Sequence, residues 1–217
     1  MFRRNPFRAV LAVSALLLAA APIAQAQVAT RPAEEWQKTL DQASRIEGLK
    51  IPEVVARLGL RPGQTVADLG AGTGVFAVPM AKAVGPGGTV YAVEIDKGYF
   101  PIIDRRAKEG AAPNVRTVLG EFTDPKLPVR DLDVAFMHDV LHHVQDRAGY
   151  LKNAATYLKP TGRFVVIDYH ADRGPHREQA ELVVSEETVT GWMKAAGLGK
   201  VERVEMFPDK YFLVFTR

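Results

Sequence analysis

The run Val66-Ala67-Asp68-Leu69-Gly70-Ala71-Gly72-Thr73-Gly74 constrains the fold more than any other part of this chain. Apolar residues lead up to Leu69, three glycines follow at alternate positions, and a helix-forming segment comes next. That is the pattern of a strand that ends, a sharp turn, and a helix that begins. Glycine allows the turn and lets the backbone approach a ligand with no Cβ in the way. In open α/β sheets, ligands collect at such carboxyl ends of strands, where the winding of the sheet reverses.

The rest of the chain repeats the strand–helix rhythm. Strands are predicted at 65–69, 89–94, 115–119, 132–137 and 163–168, with helices at 73–84, 99–108 and 147–158 between them. Gly85-Pro86-Gly87-Gly88 and Pro160-Thr161-Gly162 supply stops. Strands spaced by helices form right-handed parallel units. After a helix at 186–196, segments 201–207 and 211–216 are separated only by Pro208-Asp209-Lys210, too short a link for anything but antiparallel strands. The expected fold is therefore α/β: a doubly wound, mostly parallel, seven-stranded Rossmann-like sheet closed by an antiparallel hairpin. Helical segments at 33–47 and 52–58 precede it as a cap over residues 33–60, with the α/β core at 64–217.

The first residues belong to another class of signal. Arg3, Arg4 and Arg8 precede an apolar run at 10–21, Pro22 interrupts it, and Ala24-Gln25-Ala26 offers a small-x-small cleavage site. The apolar run is shorter than the roughly 20 residues a membrane span requires. Residues 1–26 read as a signal peptide, which implies export and a periplasmic mature domain at 27–217. Without the three leader arginines, Lys+Arg falls from 28 to 25 against 25 Asp+Glu. A formally neutral domain has no electrostatic footprint for nucleic acid. There is no cysteine, which excludes a thiol nucleophile, a disulfide scaffold and any Cys-ligated metal.

Two ligands suit the glycine loop. Gly72-Thr73-Gly74-Val75-Phe76-Ala77 satisfies the dinucleotide pattern G-x-G-x-x-A, which keeps a nicotinamide oxidoreductase in view. Asp68 speaks against it: a carboxylate beside the loop repels a pyrophosphate and welcomes an ammonium. Asp68-x-Gly70-x-Gly72-x-Gly74 resembles motif I of class I methyltransferases that use S-adenosylmethionine. The order of elements is similar from Thr65 to the final hairpin. The resemblance implies that an acidic residue ending the second strand holds the ribose, Glu94 first and Asp96 second, with Ile95 beside it. It also implies Glu121 near the adenine amino group and Phe122 on the adenine face. Asp68, Gly70, Ala71, Gly72, Gly74 and His138 complete the implied cofactor wall. Leu158-Lys159-Pro160-Thr161-Gly162 is similar to the Leu-Lys-Pro-Gly-Gly turn of such enzymes, with Thr161 replacing one glycine. Within that class the pattern resembles the ubiquinone/menaquinone C-methyltransferases and the small-molecule group around them.

Methyl transfer from a sulfonium is a direct displacement, so the protein must align the nucleophile and, for a hydroxyl, accept its proton. Met137-His138-Asp139-Val140-Leu141-His142-His143 follows the fourth strand, where such folds face their acceptor. His138 and His142 are the candidate catalytic residues, since imidazole titrates where a base is useful. Their four-residue spacing would share one helical face, and Asp168 with His170 could complete a metal set; structural hydrogen bonding is the alternative, and no metal site is assigned. Tyr169 is a further candidate, and His176 falls on a loop over the substrate mouth. The Asn/Asp-Pro-Pro-aromatic motif that resembles nucleic-acid amino methyltransferases is missing, so the expected acceptor is a small or lipid-like molecule, methylated at oxygen or carbon, with peripheral membrane contact in view. Export separates the chain from the cytosolic cofactor supply, so an exported binding protein on the same fold is the competing reading.

Overall fold

The computed structural model describes residues 31–217; the leader and residues 27–30 of the tether lie outside them. Three helices come first: α1 (Ala33–Leu40), α2 (Ala43–Gly48) and α3 (Ile51–Leu58). The core follows as β1 (Thr65–Leu69), α4 (Ala77–Val84), β2 (Thr89–Glu94), α5 (Phe100–Glu109), β3 (Val115–Leu119), β4 (Leu132–His138), α6 (Arg147–Ala155), β5 (Leu158–Tyr169), α7 (Glu186–Ala195), β6 (Lys200–Arg203) and β7 (Lys210–Thr216). The seven strands form one sheet in the order β3-β2-β1-β4-β5-β7-β6. Pairs from β3 to β5 are parallel, and β7 runs antiparallel to both β5 and β6. This is the expected doubly wound sheet with its closing antiparallel hairpin.

The central strands are buried on both faces, as helix-covered parallel strands must be. β1 and β4 are buried at every position but one each. One core layer joins Val66, Phe136 and Phe212 of the sheet to Val54, Met80 and Ile103 of α3, α4 and α5. The opposite layer joins Leu69, Met137 and Phe164 to Leu151 of α6 and Val189 of α7. In α4 the buried residues Ala77, Met80, Ala81 and Val84 recur at helical spacing, which is why this segment lies down on the sheet. The winding reverses between β1 and β4, and the crevice at their carboxyl ends receives the functional residues.

Several boundaries differ from the sequence reading, and α6 ends at Ala155 rather than 158 because β5 begins at Leu158. The helix expected from Thr73 starts at Ala77, because Gly72 and Gly74 hold positive φ of 54° and 76° and keep the loop out of helical geometry. Segment 33–47 is two helices rather than one, broken at Asp41-Gln42, where the Asp41 carboxylate is drawn into tertiary bonds. Pro160-Thr161-Gly162 lies within β5, and a register shift against β4 between Leu132 and Val134 absorbs it. β6 stops at Arg203, so residues 204–209 link it to β7.

Candidate active site

A cavity of about 740 Å³ occupies the crevice. One end is built on β1 and β2. Asp68, the penultimate residue of β1, is 3% exposed, and its Oδ2 has no hydrogen-bond partner among the described residues. Burial first, and the charge of Glu94 second, push its carboxyl up from 3.8 to about 8. Glu94 ends β2 and accepts the Gly72 N–H at Oε1 (2.6 Å) and the Ile95 N–H at Oε2 (3.1 Å). Desolvation outweighs those two bonds and raises it to about 7. The N–H groups of Gly70 and Ala71 both donate to Val93 O, at 2.9 and 3.0 Å, fixing the turn. Gly70 has φ of 76°, and a Cβ there would stand 2.6 Å from the Val140 methyls, so only glycine fits.

The N-terminal helices roof this end. Asp41 accepts from Thr73 Oγ1 (2.7 Å), Arg106 (2.7 Å) and Gln37 Nε2 (3.0 Å), which ties α1 and its neighbour to the glycine loop and to α5. Trp36, Leu40, Arg45 and Leu49 of the cap then line the cavity. At the outer rim, after β3, stand Glu121 and the half-exposed Phe122, with Ile95 nearby. Glu121 pairs with Lys126 at 3.3 Å and stays open to solvent.

The other end is built on the segment after β4. His138 is buried between the rings of Phe76 (4.9 Å between centroids) and Phe207 (5.9 Å, edge-on), with Nδ1 3.4 Å from Asp139 Oδ1 and no hydrogen-bond partner for Nε2 among the described residues. Asp139 lines the cavity with φ of 56°, its Oδ2 bound by Lys210 Nζ at 2.8 Å. Burial alone would raise Asp139, but His138 and then Lys210 outweigh it and hold the carboxyl well below the usual range. His142 does not line the cavity. It lies one layer back, Nδ1 2.6 Å from Asp168 Oδ1, with its backbone N–H on Asp168 Oδ2 at 3.1 Å. His143 faces the cavity instead, its ring 4.0 Å from that of His142. Burial and the neighbouring His142 push His143 down to about 4, so it is neutral at ordinary pH. His176, from the loop before α7, stacks 4.9 Å from His142 and lines the same end with Gln179 and Leu182.

The structure thus brings Asp68, Gly70, Ala71, Gly72, Glu94, Ile95, Glu121, Phe122 and His138 to one cavity wall. Gly74 stands behind it, packed on Ile103 of α5. His138 and His142 share no helical face: the first ends β4 and the second sits in a 3₁₀ turn. His170 turns away to Glu186 (3.2 Å), and Tyr169 takes the Lys210 ammonium over its ring at 4.6 Å. Among the described residues no group of three or more His, Asp or Glu side chains is placed to hold a metal ion. Sequence reasoning missed Asp139 and His143 as wall residues, although both stood within the histidine-rich run.

A family model described as a methyltransferase domain matches residues 60–206, from the approach to β1 through β6. The chain belongs to this methyltransferase family. Among curated relatives, the ubiquinone/menaquinone biosynthesis C-methyltransferase UbiE of Ectopseudomonas mendocina is 30% identical over 118 residues, covering 54% of this chain and 46% of that protein. The nocamycin O-methyltransferase of Saccharothrix syringae is 34% identical over 106 residues, covering 48% and 37%. The aligned region spans about half or less of the length of such relatives. The fold superposes on a SAM-dependent methyltransferase of Aquifex aeolicus with a TM-score of 0.73, at 27% identity, covering 83% of this chain and 96% of that one.

S-adenosylmethionine is the cofactor this methyltransferase family implies, and the wall fits it. Asp68 presents an unpartnered buried carboxylate oxygen suited to an ammonium. The Gly70 turn leaves no side chain in the way, and Glu94 and Phe122 offer an acceptor for ribose hydroxyls and a flat apolar face for a base.

Proposed function

We propose that this chain transfers a methyl group from S-adenosylmethionine to a small or lipid-like acceptor, at oxygen or carbon. The observation that carries this reading is a single cavity with two chemically distinct ends: carboxylates and a glycine turn at one, imidazoles and aliphatic side chains at the other. The cofactor supplies an electrophilic methyl group. Asp68, Glu94, Glu121 and Phe122 hold and orient it, with Gly70, Ala71, Gly72 and Ile95 shaping the wall. Where the acceptor is a hydroxyl, a histidine takes its proton as the new bond forms. His138 borders the cavity with Nε2 free of a hydrogen-bond partner among the described residues and Nδ1 facing Asp139 Oδ1 at 3.4 Å. His142, anchored by Asp168, acts from behind His143 as a positioning residue.

The relatives named as a C-methyltransferase and an O-methyltransferase support both acceptor atoms. None of the described helices is long and apolar enough to cross a membrane, and a lipid-like acceptor would meet the enzyme by peripheral contact. The leader pattern at residues 1–26 supports export to the periplasm, which an N-terminus beginning at Gln27 in periplasmic extract would verify. Calorimetric titration of the purified protein with S-adenosylmethionine and S-adenosylhomocysteine, with Glu94→Ala as control, tests the central reading. Micromolar binding abolished by the substitution is the expected result. No binding to folded wild type would leave an exported binding protein on a methyltransferase fold.

A further inference from the structure

Eight buried side-chain polar atoms have no hydrogen-bond partner among the described residues, and five belong to residues of the cavity wall: Trp36 Nε1, Asp68 Oδ2, both nitrogens of His138, and Asp139 Oδ1, which faces His138 Nδ1 at 3.4 Å. The last stands apart. Asp139 is a non-glycine residue in the left-handed region, with φ of 56°, and its N–H is fastened to Ile167 O at 2.9 Å. Left-handed backbone persists at such a residue only when the surroundings fix it.

The surroundings here fix a charge. Lys210, the first residue of β7, is almost fully buried, holds Asp139 Oδ2 at 2.8 Å, and rests against the rings of Tyr169 (4.6 Å) and Phe207 (5.4 Å). Lys210 is not part of the cavity wall, whereas Asp139 is. The pair is therefore an oriented dipole, its positive end in the core and its negative end toward the cavity. A buried ion pair keeps its strength because little water screens it. The other two buried carboxyls of the wall, Asp68 and Glu94, are pushed toward neutrality by desolvation. Asp139 is the inner carboxylate whose charge is secured.

We propose that Asp139, backed by Lys210, makes the cavity favour the charged methyl donor over its uncharged product, and so is a specificity-determining residue for the donor. The assignment rests on the reading of the cavity as an S-adenosylmethionine site. The donor's sulfonium is a cation and the product thioether is neutral, while the two molecules are otherwise alike. A fixed anion in the wall acts on that one difference. Val140, next in the chain, packs against Gly70, so Asp139 adjoins the glycine turn that would face the methionine end of the cofactor.

The test is calorimetric titration of full-length processed protein with S-adenosylmethionine and with S-adenosylhomocysteine. Wild type, Asp139→Asn, Asp139→Glu and the doubly neutral Asp139→Asn/Lys210→Met are compared after circular dichroism has verified folding. Loss of about tenfold in affinity for the sulfonium is expected in both neutral variants, with the thioether changed by less than about twofold, since a charge-assisted contact differs from a neutral one by about that factor. Asp139→Glu should recover part of the preference. Equal weakening of both ligands would make Asp139 a structural residue and overturn the inference, as would no change in either. Wild type that binds neither ligand would instead overturn the reading of the site itself. Should every neutral variant unfold, sinefungin decides on wild type: it carries an ammonium at the sulfonium position, and must bind more tightly than S-adenosylhomocysteine.

Discussion

Asp168 holds His142 twice, taking the ring Nδ1–H at 2.6 Å on one oxygen and the backbone N–H at 3.1 Å on the other. The Tyr169 N–H adds a third bond at 2.8 Å. One buried carboxylate thereby fixes both the path of the turn after β4 and the tautomer of its histidine. Asp168→Ala should cost about 2–3 kcal/mol of stability, the expense of orphaning buried donors. Asp168→Asn, which keeps an acceptor oxygen, should cost less. Urea unfolding measures both. Neither should alter affinity for S-adenosylhomocysteine, because Asp168 is not part of the cavity wall.

The raised carboxyls of Asp68 and Glu94 give the ligand-free protein a signed pH dependence. In the unfolded chain these groups titrate near 3.8 and 4.5, and in the folded protein near 8 and 7. The folded state therefore binds more protons between those limits, and stability falls as pH rises from about 4 to 8. Binding a cationic ligand favours the ionised forms and reverses the trend. S-adenosylmethionine should bind more tightly at pH 8 than at pH 6 and release protons on binding. Calorimetry in two buffers of different ionisation enthalpy reads that release directly; proton uptake would contradict the assignment.

Asp41 hydrogen-bonds the cap to the glycine loop through Thr73, with Arg106 as its counter-charge at 2.7 Å. Asp41→Ala should loosen α1 and α2 without unfolding the sheet. Hydrogen exchange should quicken across residues 33–48 while β1 and β4 keep their protection. Cofactor affinity should drop about tenfold, because Trp36 and Leu40 would no longer be held over the cavity.

Gly70→Ala adds two separate penalties, a left-handed φ and a Cβ 2.6 Å from the Val140 methyls. About 2–3 kcal/mol of destabilisation is expected. Pairing it with Val140→Ala removes the collision but not the backbone strain, so thermal unfolding of the double variant should show less than additive loss.

The sheet was legible because its strands are covered on both faces and therefore read as plain apolar runs between helix-length segments. The convergence of Asp68, Glu94 and Glu121 on one cavity was legible for a related reason. Each of these acids lies at the end of a strand or follows one, so strand positions locate them. The acceptor end was not. His143 faces the cavity and His142 does not, and that choice is made by Asp168, 26 residues away in sequence. His176 reaches the same end from a loop that no periodicity marks. The cap broke at Asp41 because a tertiary ion pair with Arg106, 65 residues on, overrode a segment otherwise suited to one helix.

Lys210 lies 71 residues beyond the carboxylate it neutralises. A chain emerging from the ribosome would carry the glycine turn, Glu94 and the histidine run before β7 exists. Until β7 slots between β5 and β6, Asp139 lacks its lysine counter-ion. The donor preference proposed for the cavity would then arrive late in folding, once the last strand of the chain is in place.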